Sequence, residues 1–292
     1  MADQPVLGFV GLGVMGEPIC RNMLVKTGAR MLVSDLAPDP VARLVGLGAV
    51  AASPEDIAAE ADIVFLSLPG GPQVQAVAGV VIPLMRPGAT LVDMSTAPVG
   101  LTRHLADQAA ARGLDYADAP VARTRAAAEA GTLAIMVGAS DPVFARVEPV
   151  LACAGDTILH CGPVGCGQVA KILNNMVLFQ NVVALSEALA LGTAAGMDGE
   201  RLFQIISQGS GDSFALRNHG MKAMIPDVFP RQAFPTDYAL KDISYALELA
   251  EEAGLAAPGA DLAQARMRMA QAAGYSEDYF PVLARLAGRP TE

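Results

Sequence analysis

VLGFVGLGVMG, at residues 6–16, is the stretch that decides how the N-terminal part of this chain folds. Its apolar first half predicts a short strand, and the spacing of Ile19, Met23 and Leu24 predicts a helix directly after the glycines. A strand, G-x-G-x-x-G and a helix in this order indicate a Rossmann-type fold, in which the pyrophosphate of a dinucleotide meets the helix N-terminus. The predicted cofactor contacts are Gly11, Leu12, Gly13, Val14, Met15 and Gly16.

An acidic residue, Asp35, follows the second predicted strand at residues 30–34. It lies about 20 residues beyond the motif, where a carboxylate accepts hydrogen bonds from ribose hydroxyls and repels a 2′-phosphate. We therefore predict NAD rather than NADP as the cofactor. The alternative is an ordinary turn aspartate, and Arg43 is a basic residue that could approach the same pocket.

Two further apolar runs, at residues 63–68 and 90–94, have the composition of buried parallel strands. Ligands of such sheets bind at the carboxyl ends of the strands. The residues predicted to lie there are Leu68, Pro69 and Thr96 beside the cofactor and Ser95 beside the substrate.

The alternation of strand and helix patterns continues to residue 164 and then stops. A long helix is predicted from Gln168 to about Ala195, and only helical patterns follow it. These later helices are predicted at residues 200–208, 213–222, 238–253, 260–273 and 277–286. The predicted architecture is α/β, with a Rossmann-type NAD-binding domain at residues 1–164 and an interdomain helix plus all-α domain at residues 165–292.

Composition narrows the classes of function. The chain has 292 residues, 52% of them hydrophobic, and a formal net charge of −10. Negative charge without a Lys/Arg cluster argues against nucleic-acid binding, which rests on basic surfaces. With no signal sequence and no uninterrupted apolar run of spanning length, we expect no membrane association and a cytoplasmic location. Reduced, buried thiols without disulfide or metal roles are expected at Cys20, Cys153, Cys161 and Cys166.

GCGQVAKILNN, at residues 165–175, places three polar side chains on one face of the long apolar helix, because Lys171, Asn174 and Asn175 have the spacing i, i+3 and i+4. A lone lysine on such a helix more often reaches out to solvent. Next to a dinucleotide fingerprint it has a second use, because hydride transfer to or from an alcohol carbon needs a general acid/base. We therefore predict a functional Lys171.

Histidine is the other residue type suited to this proton transfer. His104, His160 and His219 have no local carboxylate-bearing motif beside them. We expect none of the three to be catalytic.

Four segments together resemble the β-hydroxyacid dehydrogenase family, which includes 3-hydroxyisobutyrate dehydrogenase and tartronate semialdehyde reductase. They are the glycine motif with Asn22, Asp118-Ala119-Pro120-Val121 with Gly131-Thr132-Leu133, Gly165-Cys166-Gly167-Gln168 with Lys171, Asn174 and Asn175, and Lys241-Asp242. The resemblance spans essentially the whole chain. It implies an enzyme with Lys171 as acid/base and Asn175 beside it, a cofactor contact from Lys241, and an all-α domain that supports a homodimer or homotetramer.

The resemblance also implies substrate contacts from Asn174, Asn175 and the loop Val121, Ala122, Arg123 and Thr124. Many family members have Ser-Gly-Gly where this chain has Ala122-Arg123-Thr124. An arginine there resembles the 3-sulfolactaldehyde reductase branch, and a guanidinium binds anions through paired donors. We therefore hypothesise a substrate with a strong or additional anionic group bound by Arg123. The alternative is that Arg123 or Arg125 points to solvent, while the apolar Leu178 keeps 3-hydroxyisobutyrate or L-serine open.

Two other functions compete with a dehydrogenase of small anionic hydroxyacids or aldehyde acids. An imine reductase would share the architecture but typically lacks a lysine at the position of Lys171. A non-catalytic dinucleotide sensor would not need Lys171, Asn175 and Lys241 together. The presence of all three favours the enzyme.

Overall fold

The computed structural model describes residues 4–231 and 233–288. Contacts divide the chain into two compact units, Met1–Lys171 and Ile172–Glu292. The sequence boundary at residue 165 lies close to this division and stays a prediction.

The first unit is built on a mainly parallel sheet. Its strands are β1 (Leu7–Val10), β2 (Met31–Ser34), β3 (Val50–Ala51), β4 (Ile63–Leu66), β5 (Thr90–Asp93), β6 (Asp115–Asp118), β7 (Val121–Ala122), β8 (Leu133–Gly138) and β9 (Gly155–Gly162). The spatial order is β3-β2-β1-β4-β5-β6-β8-β7, and β9 pairs with β8. β1 to β6 run parallel to one another, whereas β8 is antiparallel to β6 and β7. The order 3-2-1-4-5 confirms the predicted Rossmann-type fold.

Helices cover both faces of this sheet. They are α1 (Gly16–Thr27), α2 (Pro38–Val45), α3 (Pro54–Glu60), α4 (Gly71–Leu84), α5 (Val99–Ala110), α6 (Arg125–Ala130) and α7 (Asp141–Leu151). Alternate strand residues point to two separate cores, so that Phe9 and Phe65 pack on one face while Val64 and Leu91 pack on the other. Both faces are buried, which explains why the strands read as continuous apolar runs.

The second unit is helical within the described residues, as expected. The long helix α8 (Cys166–Ala194) begins in the first unit, and it is followed by α9 (Gly199–Ile206), a π-helical segment (Leu216–Met224), α10 (Thr236–Glu252), α11 (Pro258–Ala272) and a 3₁₀ segment (Phe280–Leu286). The helical patterns predicted at residues 213–222 and 277–286 correspond to the π-helical and the 3₁₀ segment. In the π-helical segment, a Cβ at Gly220 would lie 2.9 Å from the Phe203 ring, so this glycine allows close packing on α9.

Helix α8 is apolar over most of its length, as its sequence indicated. Among the described residues it is long and apolar enough to cross a membrane by length and composition alone, and 28% of its most apolar window is buried in the structure. One such helix is weak evidence, because an apolar helix inside a soluble protein passes the same test. Leu173, Val177 and Leu191 leave apolar side chains exposed along it.

The cysteine expectation needs one correction. All four thiols are free, but only Cys20 is buried, while Cys153, Cys161 and Cys166 are half-buried. Cys153 packs against the core beside α1 and α7, Cys161 lies in β9, and Cys166 is the first residue of the long helix after β9. No group of histidine, cysteine or carboxylate side chains in the described residues could hold a metal ion.

Candidate functional site

The glycine motif forms a turn that tolerates no side chain at two of its three glycines. Gly11 has a φ of +96°, and a Cβ there would lie 2.3 Å from the carbonyl oxygen of Ser67. A Cβ at Gly16 would lie 2.0 Å from the carbonyl oxygen of Gly11. Gly13 is different, because a Cβ there would meet no described atom within 4 Å. Gly13 therefore leaves an open approach beside the start of α1, which fits a pyrophosphate.

Asp35 holds the motif from the end of β2. Its Oδ2 accepts a hydrogen bond from the Leu12 amide at 2.5 Å, and its Oδ1 accepts one from the Ala37 amide at 2.7 Å. A carboxylate has about four acceptor positions, so two remain for the hydroxyls of a ribose. Arg43 donates to both carboxylate oxygens of Glu17 at 2.6 and 2.8 Å. This pairing holds Arg43 at the first turn of α1 and lowers the pKa of Glu17.

The loops after β4 and β5 are joined by Ser95. Its hydroxyl accepts a hydrogen bond from the Leu68 amide at 2.9 Å, and its own amide donates to Asp93 Oδ1 at 2.9 Å. Ser95 is buried, whereas Leu68 and Thr96 are half-buried and Pro69 is exposed. The structure thus brings the four residues predicted at these strand ends into two connected loops, at the carboxyl edge of the sheet.

Helix α8 starts on a buried carboxylate at the end of β6. Asp118 accepts hydrogen bonds from the amides of Gly165 and Gln168, each at 2.7 Å. Burial raises the pKa of Asp118 to about 6, against the opposing effect of these amides. A Cβ at Gly167 would lie 2.4 Å from the Met136 carbonyl oxygen, and one at Gly138 would lie 2.4 Å from Asp118 Oδ1. The glycines therefore allow the helix to start in direct contact with the sheet.

The three polar side chains of α8 differ in their surroundings. Lys171 is half-buried and one turn beyond Gln168, Asn174 is exposed, and Asn175 is buried at 2% exposure. Asn174 Nδ2 donates to Asn175 Oδ1 at 3.1 Å. A buried carboxamide needs partners, since leaving one unsatisfied costs about 1–3 kcal/mol. For Asn175 the main partner comes from α10.

Asp242 of α10 holds Asn175. Asn175 Nδ2 donates to Asp242 Oδ2 at 2.7 Å, and the ammonium of Lys241 forms an ion pair with Asp242 Oδ1 at 3.1 Å. Lys241 Nζ also lies 5.4 and 5.3 Å from the ring centres of Tyr238 and Tyr245, which is cation–π distance. A single buried carboxylate therefore orients two of the predicted site residues, Asn175 and Lys241.

The loop that departs from Ser-Gly-Gly is occupied by local interactions. Val121 and Ala122 form the half-buried β7, and the Thr124 hydroxyl caps α6 by accepting from the Ala127 amide at 3.4 Å. Arg123 has a φ of +85°, in the region that favours glycine. Its Nη1 donates to Asp156 Oδ1 at 2.6 Å and to the Thr132 carbonyl at 2.5 Å.

Arg123 Nη2 also donates to the Thr157 hydroxyl at 3.0 Å, so the guanidinium is held against β9. Arg125 forms an exposed i,i+4 ion pair with Glu129. The role of Arg123 in substrate binding stays a prediction. An anion at Arg123 would have to compete with Asp156 or use the remaining donors.

No role was predicted from the sequence for three buried polar residues that bond the elements carrying the predicted site residues: Asp118, Gln168 and Asp242. Asp118 and Gln168 were parts of matching motifs, and Asp242 was quoted only beside Lys241. The signal available in advance was their polarity next to apolar helices and strands, because a buried polar side chain requires a partner.

The three histidines have structural surroundings. His160 stacks on Phe144 with ring centres 4.4 Å apart, and His104 pairs with Gln108 on α5. His219 is buried and bonds Tyr279, and burial lowers its pKa to about 4. Their absence from the catalytic set stays a prediction, supported by these contacts.

Comparison with known proteins matches both parts of the chain to family models. Residues 6–162 match the NAD binding domain of 6-phosphogluconate dehydrogenase, and residues 165–286 match the NAD-binding domain of NADP-dependent 3-hydroxyisobutyrate dehydrogenase. The two matches together cover most of the chain and meet at the start of α8.

Individual relatives cover the chain nearly end to end. The 2-(hydroxymethyl)glutarate dehydrogenase of Eubacterium barkeri is 40% identical over 86% of this chain and 84% of its own length. The NAD-dependent L-serine dehydrogenase of Pseudomonas aeruginosa is 33% identical over 96% of this chain and 97% of its own. The structure of Mycobacterium tuberculosis 3-hydroxyisobutyrate dehydrogenase with L-serine is 30% identical, with a TM-score of 0.90 over 97% of this chain and 99% of that one. These three proteins are similar to this chain in sequence, and the third also in structure.

Proposed function

The chain belongs to the β-hydroxyacid dehydrogenase family of NAD-dependent enzymes, and from that premise we propose that it interconverts a small β-hydroxyacid and its semialdehyde with Lys171 as the general acid/base. The observation that carries the proposal is the arrangement of α8. Asp118 fixes the first turn of this helix, Lys171 follows one turn later, and Asn175 lies one turn beyond with its carboxamide held by Asp242.

When bound, NAD supplies a hydride acceptor or donor at its nicotinamide. The residues of the chain transfer the proton, orient the substrate and select the cofactor. In the oxidising direction Lys171 Nζ accepts the proton that leaves the substrate hydroxyl, and in the reducing direction it returns that proton to the carbonyl oxygen. Asn175 offers its carboxamide to a substrate oxygen, and its fixed orientation lowers the entropy lost on binding. Asp35 selects NAD by accepting from the ribose hydroxyls and repelling a 2′-phosphate.

We propose that the substrate carries a second anionic group. The name of the 40% identical relative, 2-(hydroxymethyl)glutarate dehydrogenase, describes a β-hydroxyacid with an additional carboxylate. Arg123 stands where small residues are common in the family, and a guanidinium binds carboxylate or sulfonate oxygens through paired donors. 3-Hydroxyisobutyrate and L-serine, which lack a second anion, are the competing substrates.

A cofactor-absorbance assay of the purified protein tests the reaction and the substrate together. We expect turnover of 2-(hydroxymethyl)glutarate with NAD to exceed turnover of L-serine and 3-hydroxyisobutyrate. Lys171→Ala should lower kcat by about 10²–10⁴-fold while NAD still binds, because general acid–base catalysis contributes that much. Lys222→Ala, at an exposed lysine that bonds only Asn218 among the contacts described, is the control. Normal turnover by Lys171→Ala, or a preference for NADP, would contradict the proposal.

Arg123→Ala tests the second anion site. If Arg123 binds it, KM for the doubly anionic substrate should rise by about tenfold or more, since charged hydrogen bonds contribute about 1.5–3 kcal/mol. Arg125→Ala, two residues away at the start of α6, is the matched control. Unchanged KM values for every anionic substrate would remove Arg123 from the site.

We also propose a cytoplasmic homodimer or homotetramer. The exposed apolar side chains Leu173, Val177 and Leu191 on α8 support burial against a second copy, since burying apolar surface favours association. Light scattering that finds only a monomer at assay concentrations would contradict this part.

A further inference from the structure

We propose that Gln168 is a positioning residue that fixes the loop carrying Thr96 to the helix carrying Lys171. It thereby keeps the cofactor contact and the proton acceptor at a constant relative position. This inference rests on the proposed function, because it gives Lys171 and Thr96 their roles. The side chain of Gln168 is fully buried, at 0% exposure, and takes no direct part in the reaction.

The side chain of Gln168 bonds the peptide groups on both sides of Thr96. Gln168 Nε2 donates to the Ser95 carbonyl at 2.8 Å, and Gln168 Oε1 accepts from the Ala97 amide at 3.2 Å. Ser95 and Ala97 are buried, whereas Thr96 between them is half-buried. The carboxamide therefore fixes the backbone at Ser95 and Ala97 and leaves Thr96 presented at the strand end.

The main chain of Gln168 is fixed independently. Its amide donates to Asp118 Oδ2 at 2.7 Å, and the Gly165 amide donates to Asp118 Oδ1 at the same distance. Gln168 is therefore held by two hydrogen bonds from its side chain and one from its own amide. Lys171 follows at i+3 on the same helix, so a shift of Gln168 moves the Lys171 backbone with it.

The same loop reaches the other predicted cofactor contacts. The Ser95 hydroxyl accepts from the Leu68 amide at 2.9 Å, and Ser95 is tied to Asp93 Oδ1 at 2.9 Å. Gln168 thus connects α8 to the ends of both β4 and β5 through one buried network. A displacement of about 1 Å between reacting groups costs about 100-fold in rate, which is the effect such a network prevents.

Gln168→Met tests the proposal, because methionine keeps the length and helix propensity but removes both hydrogen bonds. We expect kcat to fall by about tenfold to 100-fold, while the dissociation constant for NAD, measured by titration of the enzyme without substrate, changes by less than about threefold. Hydrogen exchange in the peptide containing Ala97 should become at least about tenfold faster, since its amide loses its acceptor. Gln108→Met, at an exposed glutamine of α5, is the matched control and should change none of these quantities.

Gln168→Glu provides a second variant if the methionine protein does not fold. The glutamate keeps an acceptor for Ala97 but places negative charge against the Ser95 carbonyl, until it takes up a proton and donates again. Its activity relative to wild type should therefore recover as pH falls through the range in which a buried carboxyl is protonated. A purely structural role predicts a lower melting temperature with no such pH-dependent recovery.

Two results would overturn the inference. One is a kcat within about twofold of wild type for Gln168→Met with Ala97 exchange accelerated as expected, and the other is a loss of NAD affinity equal to the loss of kcat. The proposed function would still stand after either result, provided that Lys171→Ala is inactive. Conversely, an active Lys171→Ala would refute the proposed function whatever Gln168→Met does.

Discussion

Buried polar side chains are used differently in the two units of this molecule. In the first unit Asp118 and Gln168 bond backbone groups, namely the amides at the start of α8 and the peptides on either side of Thr96. In the second unit Asp242 bonds the side chains of Asn175 and Lys241. The first arrangement fixes where a helix and a loop lie, and the second fixes how individual functional groups point.

The difference follows from what each unit must present. A dinucleotide is bound largely by backbone at strand ends and helix starts, so the first unit needs exact main-chain positions. The residues presented by α8 and α10 are long or rotatable side chains, which need a partner to select one rotamer. Disrupting each kind of contact should accordingly affect different measurements.

The largest expected effect is a loss of stability when the contact between Asp118 and the backbone of α8 is removed. Asp118→Ala would leave two buried amides, of Gly165 and Gln168, without an acceptor, and we expect a loss of about 3–5 kcal/mol in the free energy of unfolding. Asp115→Ala, on the same strand but in a half-exposed pair with Arg146, should cost about 1 kcal/mol or less. Chemical denaturation compares the two. Equal small losses would show that Asp118 does not anchor α8.

The side-chain contact should affect turnover more than stability. Asp242→Asn keeps an oxygen for Asn175 but loses the charge that holds Lys241, so we expect kcat/KM to fall by about tenfold to 100-fold. The unfolding transition should move little. Asp237→Asn, an exposed position on the same helix, is the control in steady-state assays. Wild-type kinetics of Asp242→Asn would show that Asp242 does not orient functional side chains, and the proposed difference between the two units would then be wrong.

The smallest expected effect is on the pH dependence of the free energy of unfolding, to which a buried residue of each unit contributes. His219 has a folded-state pKa of about 4 because it is buried among Tyr279, Phe280 and Phe214, so its neutral form is favoured. The unfolded chain takes up a proton near pH 6.5, and stability contributed by neutral His219 is therefore lost as pH falls from about 6.5 to about 4. His219→Phe should abolish this pH dependence.

Asp118 should titrate in the opposite sense. Its folded-state pKa of about 6 lies above the unfolded value of 3.8, so the native state binds more protons in that interval and stability falls as pH rises through it. The pH dependence of unfolding in His219→Phe and in Asp118→Asn should therefore deviate from wild type in opposite directions. Deviations of the same sign would contradict these assignments.

Local sequence patterns determined the elements and most of the candidate positions. The strand followed by G-x-G-x-x-G predicted the first turn of the fold, and the spacing of Lys171, Asn174 and Asn175 predicted a shared helix face. These inferences succeed because strand period, helix period and glycine conformations depend on neighbouring residues only. The π-helical and 3₁₀ geometry of the segments at residues 216–224 and 280–286 was not predicted, because a helical pattern of apolar residues does not distinguish these helix types.

What the sequence by itself determined is therefore a Rossmann-type sheet, a long helix with Lys171, and a helical remainder. Only the tertiary structure decided which partners the polar residues have. Asp118 and Gly165 are 47 positions apart, and Asn175 and Asp242 are 67 apart. Arg123, chosen from sequence as a substrate contact, meets Asp156 on β9. Such pairings depend on how distant elements pack, and a side chain that must satisfy its hydrogen bonds takes the partner that packing brings to it.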